Sequence, residues 1–231
     1  MDWQNRWIER TTPWDLKQVT PPLRHLLREG ALQAVGLPTS ALVAVPGCGR
    51  GHDLRAFVGS GYRAVGFDVV PEAVREAREL LALNRVPELE FETGAARSGG
   101  DALSPGEAPE SGAAVFCRDV LGLEPEWHGR FDLVFDYTCL CALKPHLRTT
   151  YLRSMRRALN GGGLFLHLAF PMRADRAGVD GPPYLLEQEM LQSLFTGEGF
   201  ELVFEREAIA SVPQRMGRER FFLWRSPGPI G

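Results

Sequence analysis

Five apolar residues, Ala41 to Val45, run straight into Pro46-Gly47-Cys48-Gly49-Arg50-Gly51, and a helix-competent stretch, His52 to Val58, follows at once. Gly59 and Gly61 stop it. A buried strand, a tight glycine turn and a helix, in that order, open a β-α-β unit, and such units build parallel sheets. Glycines in the turn adopt positive φ and let the backbone pass close to a ligand, while the helix start offers unpaired N–H groups.

The rest of the chain repeats the alternation. Tyr62 to Phe67 reads as a second strand closed by Asp68, and Pro71 opens a helix, Glu72 to Asn84, where a helix tolerates proline. Leu89 to Glu92 and Ala114 to Cys117 read as short strands. Residues 93–112 lie between them, rich in Gly, Ser, Ala, Pro and Glu without periodicity, and are expected to form an exposed loop insertion at the tip of a long hairpin. Phe131 to Phe135 is a strand, and Leu147 to Leu159 a helix stopped by Asn160-Gly161-Gly162-Gly163. Leu164 to Phe170 is apolar almost throughout, as expected of a strand buried on both faces. A helix, Leu186 to Phe195, then leads to strands Phe200 to Glu205 and Arg220 to Trp224. Upstream, Leu23, Leu26, Leu27, Leu32 and Val35 recur at helical spacing. The pattern predicts an α/β fold: a doubly wound, mostly parallel sheet with antiparallel terminal strands, in a single domain over 1–231.

Composition narrows the partners. A net charge of -3 argues against nucleic acid as the main partner, although 24 of the 26 basic residues are arginine. Arg148, Arg153, Arg156 and Arg157 share one predicted helix and read first as a solvated face. Arg215, Arg218 and Arg220 near the end read the same way, or as a group closing over an anionic acceptor. Cys48, Cys117, Cys139 and Cys141 contain no C-x-x-C pair, so neither a metal site nor a disulfide framework is expected. No apolar run approaches the roughly 18 residues of a membrane span, and no leader precedes Trp14, so a cytoplasmic monomer away from membranes is expected.

In a doubly wound sheet the ligand sits beyond the carboxyl ends of the strands. Asp68 lies 21 residues after Gly47, where a carboxylate can accept both hydroxyls of an adenosine ribose; the competing role is a cap for the helix at Pro71. A dinucleotide fingerprint needs a small residue three after Gly49, where His52 stands, which argues against NAD or FAD. No Gly-Lys-Ser/Thr follows, so the loop is not a P-loop. The spacing is similar to that of S-adenosylmethionine-dependent methyltransferases, except that Val45 replaces their usual acid two residues before the first glycine.

That departure points to a narrower group. The string Val45 to Asp53, with Thr12-Pro13-Trp14-Asp15 upstream, Phe135-Asp136-Tyr137 and Cys141-Ala142 in the middle and Gly181-Pro182-Pro183-Tyr184 downstream, closely resembles the thiopurine S-methyltransferase family, and within it the halide/thiol methyltransferase branch. The resemblance runs from Trp3 to about Arg220 and implies a class I methyltransferase, Rossmann-like fold with S-adenosyl-L-methionine as cofactor. It implies an N-terminal aromatic lid, residues 1–20, in which Trp3, Trp7 and Trp14 cover the cofactor. The plainer reading of the tryptophans is a staple holding the N-terminus, and both can hold. Gly47 is implied to touch the cofactor, with Gly49 in the same loop, Asp68 at the ribose, Asp119 and Val120 at the adenine, and Tyr137 near the methionine.

For the small-molecule acceptor the expected wall is Trp14, Phe170 and Tyr184. Halide-active relatives often carry Tyr where Phe170 stands, which favours an apolar thiol over chloride. A sulfonium donor needs alignment and exclusion of water rather than a strong base, so no catalytic residue is named, and Cys48, Cys139 and Cys141 read as core rather than nucleophiles. The expected function is methyl transfer to a thiol, selenium species or halide. The alternatives are a non-catalytic cofactor-binding domain acting through a protein partner, and an NAD enzyme.

Overall fold

A computed structural model describes residues 2–91, 110–173 and 181–228. Most of the 93–112 insertion therefore lies outside the described residues. Seven strands form one sheet: β1 (Leu42–Pro46), β2 (Arg63–Asp68), β3 (Gly112–Cys117), β4 (Phe131–Tyr137), β5 (Leu159–Ala169), β6 (Glu201–Glu207) and β7 (Arg220–Arg225). Their order is β3-β2-β1-β4-β5-β7-β6. The first five neighbours run parallel, and β7 joins β5 and β6 antiparallel, as the alternation of elements predicts.

Seven helices accompany the sheet among the described residues: α1 (Trp3–Ile8), α2 (Pro21–Arg28), α3 (Ala31–Ala34), α4 (His52–Val58), α5 (Pro71–Leu83), α6 (Arg148–Ala158) and α7 (Gln188–Gly197). Because successive strand residues point to opposite faces, each central strand feeds two cores. On β7, Phe222 and Trp224 join Leu42 and Ala44 of β1 and Tyr151 and Met155 of α6, while Phe221 and Leu223 join Val43, Val45 and Leu54 of α4. The first core is aromatic: Phe195 of α7 stacks on Trp224 with centroids 4.6 Å apart.

Some elements differ from expectation. Leu89 to Phe91 forms no strand; Glu88 makes one parallel bridge to Ala113, so the two sides of the insertion are not a hairpin. Phe91 instead packs on Phe116 and Trp127, and Pro87, which has no N–H to give a ladder, precedes the segment. The helical pattern from Leu23 to Val35 is broken at Gly30, which sits left-handed between α2 and α3. Asn160 to Gly163 belongs to β5 rather than to a connecting loop, because Asn160 donates to Asp132 on β4 at 2.5 Å and Ser226 N–H donates to Gly163. Arg148 is buried, not solvated: its guanidinium donates to the Leu185 carbonyl at 3.3 Å.

Gly66 on β2 decides how close the loop after β1 can come. A Cβ there would meet Cys48 Sγ and Leu54 Cδ1, both at 2.7 Å. Overpacking of this kind costs about 1–3 kcal/mol. Gly66→Ala is therefore expected to lower the unfolding free energy by an amount in that range, read as a lower urea midpoint at unchanged m-value. An unchanged midpoint would show that loop and helix have room to retreat.

Candidate active site

The loop after β1 turns through three left-handed glycines, Gly47, Gly49 and Gly51. A Cβ on Gly47 would approach Cys139 to 3.2 Å and one on Gly51 would approach Ala77 of α5 to 3.2 Å, so the loop is pinched between the β4 end and α5. Cys48 N–H donates to the Phe67 carbonyl at 3.1 Å, which lays the loop across the end of β2. Asp68 closes that strand. Its carboxylate accepts Gly49 N–H and Val70 N–H, each at 3.0 Å, so it caps the α5 approach and faces the loop at once. Burial pushes its acid pKa up, against the pull of those backbone N–H groups.

The N-terminal segment covers this loop. Asp2 caps α1 by accepting Asn5 N–H at 3.1 Å. Trp7 is buried with Val70 and Ala73, and Trp3 and Trp14 meet edge to face at 5.3 Å beside it. Arg50 from the glycine loop holds the segment: its guanidinium lies 4.9 Å over the Trp7 ring, donates to Asp15 at 2.6 Å and pairs with Glu76 of α5. Thr20, the last residue before α2, donates through N–H and Oγ1 to Asp53 of α4, both at 2.8 Å. Burial lifts Asp53 to about 6, and the Thr20 bonds and the charges of Arg215 and Arg24 oppose that rise.

A second group gathers beyond the carboxyl ends of β4 and β5. Arg215 is buried, with its guanidinium 5.1 Å over the Tyr137 ring and 4.8 Å over the Phe170 ring. It donates to the Tyr137 hydroxyl and, at 2.7 Å, to the Trp14 carbonyl; Tyr137 in turn donates to buried Glu219. Arg218 also lies over the Phe170 ring, 5.0 Å from its centroid. Tyr184 N–H donates to the Cys141 carbonyl at 2.7 Å, which brings Gly-Pro-Pro-Tyr to the same rim.

These groups line one cavity of about 760 Å³. Trp3, Trp7, Trp14, Gly47, Gly49, Asp68, Asp119, Val120, Tyr137, Phe170 and Tyr184 all border it, as do Arg215 and Arg218. Among the described residues all four bordering carboxylates, Asp15, Asp53, Asp68 and Asp119, stand on the β1 to β3 side, where Arg6 and Arg50 border the cavity as well; the β4 to β7 side presents Lys144, Arg215 and Arg218. Cys48, Cys139 and Cys141 also border it, and burial together with neighbouring carboxyls pushes all three thiols up, so they stay protonated. Among the described residues no three metal-ligating side chains come together.

Sequence reasoning did not single out Arg50 or Asp53, and it treated Arg215 with Arg218 and Arg220 as one group. The structure separates them: Arg220 pairs with Glu205 and Glu207 on the β6 edge, while Arg215 and Arg218 turn inward. Only the short turn Pro213–Arg215, which precedes β7, sets them apart, and no local pattern announces it.

The strand order and the site beyond β1 and β2 define the class: a Rossmann-like, class I S-adenosylmethionine-dependent methyltransferase fold. It is shared with Burkholderia thailandensis 1,6-didemethyltoxoflavin-N1-methyltransferase bound to 1,6-didemethyltoxoflavin and S-adenosylhomocysteine (TM-score 0.67, 20% identity, 98% of this chain and 86% of that one). It is shared also with magnesium protoporphyrin IX methyltransferase from Synechocystis PCC 6803 bound to SAM (TM-score 0.62, 15% identity, 96% and 94%). The family model for thiopurine S-methyltransferase (TPMT) matches residues 1–222, and the chain belongs to that family. Relatives include thiocyanate methyltransferase 1 of Arabidopsis thaliana (29% identical, 96% of this chain and 83% of the relative) and thiopurine S-methyltransferase of Bordetella petrii (25%, 90% and 87%). The chain is thus an S-adenosylmethionine-dependent methyltransferase.

Because Arg50 joins loop, α1 and α5, Arg50→Ala is expected to raise amide exchange across residues 3–20 while β1 and β4 keep their protection. A cation–π contact alone is worth about 0.5–2 kcal/mol. Equal protection in both proteins would place the docking of the segment in its other anchors, Trp7 burial, Thr20 on Asp53 and Arg215 on the Trp14 carbonyl.

Proposed function

We propose that this enzyme moves the methyl group of S-adenosyl-L-methionine to a soft small-molecule nucleophile: an organic thiol first, and selenium species or halides as the wider class. The observation that carries the reading is Arg215, a buried guanidinium held between Tyr137 and Phe170 in the same cavity as the glycine loop and Asp68. Such a group favours an acceptor that arrives as an anion. The named roles of the thiocyanate and thiol methyltransferase relatives point the same way. They are enzymes, and no observation favours a non-catalytic domain acting through a protein partner.

The residues present fit the cofactor. Gly47 borders the cavity with no side chain, where a Cβ would press on Cys139, and the buried Asp68 carboxylate keeps lone-pair capacity for a ribose hydroxyl beside its backbone bonds. In this reading Gly49 lets the backbone approach, Asp119 and Val120 take the adenine, Tyr137 lies by the methionine, and Trp3, Trp7 and Trp14 form the lid, residues 1–20. The cofactor supplies an electrophilic methyl on a sulfonium whose leaving group is a neutral thioether.

The protein's part is alignment, anion binding and exclusion of water. Arg215 lowers the pKa of a thiol brought beside it, so the thiolate forms without a strong base. Phe170 and Tyr184 give the acceptor an apolar wall. The protonated thiols of Cys48, Cys139 and Cys141 do not compete for the methyl group, since the thiolate is the nucleophile.

The same reading places the enzyme in the cytoplasm as a monomer acting on a small molecule. Four free cysteines suit a reducing compartment, and one chain supplies every wall of the cavity described. No helix among the described residues is long and apolar enough to cross a membrane.

Labelled S-adenosylmethionine offered with a panel of thiols and halides tests the activity: transfer to thiols is expected, and tight binding without transfer to any acceptor would sink the proposal. Arg215→Lys is expected to lower kcat/KM for a thiol about tenfold or more, since a lysine keeps the charge but not the planar fork. Phe170→Tyr adds a hydroxyl at the anion's edge and should raise the iodide rate relative to a small thiol; an unchanged ratio removes position 170 from specificity.

A further inference from the structure

Behind the cavity wall lies a carboxyl that methyl transfer does not use. Asp136 of β4 is fully buried on the α6 side of the sheet. Its Oδ2 accepts the Tyr151 hydroxyl of α6 at 2.5 Å and Leu140 N–H at 3.1 Å, and Cys139 N–H also bonds to the carboxyl. From β5, His167 Nε2 stands 3.7 Å from Oδ1, and burial pushes that imidazole down to about 3, so it is neutral. Cys139 and Cys141 face the group from the turn after β4, and the charge of Arg148 on α6 is felt at His167 and Cys141. Among the described residues no arginine or lysine pairs with Asp136.

The segment that Asp136 holds is a wall of the cavity. After Tyr137 the chain turns through Thr138, which is left-handed at φ 64, into a tight helical turn at Leu140–Ala142. Cys139 packs against Gly47 on one side, and the Cys141 carbonyl takes Tyr184 N–H on the other. Tyr137, Thr138, Cys139 and Cys141 border the cavity, while Asp136 does not.

We propose that Asp136 is a positioning residue whose carboxylate fixes the 137–142 turn between the glycine loop and the Gly-Pro-Pro-Tyr segment, so that one buried proton governs how well the cofactor cavity is formed. The inference rests on the reading that this cavity holds S-adenosyl-L-methionine. Burial lifts the Asp136 pKa to about 7, while the bonds from Tyr151, Leu140 and Cys139 pull it down. The carboxylate accepts the two turn N–H groups more strongly than the neutral acid does. Protonation as pH falls through this value therefore loosens the turn, and cofactor affinity falls with it.

The test measures S-adenosylhomocysteine affinity by calorimetry between pH 5.5 and 8.5 on the full chain, with Tyr151→Phe and Asp136→Asn beside it. Affinity of the parent is expected to drop toward low pH, by at most about tenfold per unit for one proton. Tyr151→Phe removes a bond that favours the carboxylate, so its midpoint moves to higher pH. Asp136→Asn keeps the size and loses this titration, so its step near 7 disappears. Asp53, lifted to about 6, and Asp68, raised above an ordinary acid, also border the cavity, but neither touches Tyr151, so any step of theirs stays in place in both variants. A step near 7 that keeps its midpoint in Tyr151→Phe or survives in Asp136→Asn overturns the proposal. The same midpoint is read without ligand in the amide protection factors of residues 137–142. If S-adenosylhomocysteine binds at no pH the cofactor reading fails, and the exchange step alone then decides for or against Asp136.

Discussion

The close approach of the 47–51 loop to β2 is the contact on which the site depends. It exists because Gly66 leaves no Cβ in the way of Cys48 and Leu54. With the loop down on the strand, Gly49 N–H reaches Asp68, and Arg50 is left pointing outward toward Trp7, Asp15 and Glu76. One backbone approach thus sets the Asp68 carboxylate, the glycine turn and the anchor of the N-terminal helix. The three left-handed glycines serve it at both ends, since Gly47 abuts Cys139 and Gly51 abuts Ala77.

The cavity is then finished from the far edge of the sheet. Arg215 comes from the turn before β7, more than 160 residues after Gly47 in the chain, yet it bonds Trp14 of the N-terminal segment and Tyr137 of β4. Antiparallel insertion of β7 between β5 and β6 places the start of β7 beside the carboxyl end of β5, where Ala169 pairs with Arg220. The topology therefore brings Arg215 and Arg218 to the β4 to β7 side of the cavity, while the β1 to β3 connections and the N-terminal segment bring the four bordering carboxylates together with Arg6 and Arg50. A protein with a net charge of only -3 can thus present a wall that carries Lys144, Arg215 and Arg218, because local placement and not total charge determines the field a ligand meets.

Where local rules act alone, the sequence was readable. The glycine turn after an apolar strand, proline at the first turn of α5 and the apolar run of β5 each imply their element by sterics or burial within a few residues. Where a distant partner decides, it was not. Leu89 to Phe91 has strand composition, but Phe91 is taken by the Phe116 and Trp127 rings and the ladder stops after one bridge. Asn160 looks like a helix stop, but the helix ends at Ala158 and Asn160 already lies in β5, its amide spent on Asp132. Arg148 and Arg153 share a helix and a composition; the first is buried against Leu185 and the second pairs with Glu198 near the surface.

The sequence by itself determined the fold class, the family, the glycine turn after β1 and the places of Asp68 and the three tryptophans along the chain, because periodicity, glycine conformation and motif spacing are properties of neighbouring residues. Only the tertiary structure decided that Trp14, Tyr137, Phe170 and Arg215 meet, and that Asp136 is enclosed with Tyr151 and His167 behind them. A buried charge acquires its role from the groups that replace its water, and those groups are brought together by the sheet, from segments that carry no local mark of one another.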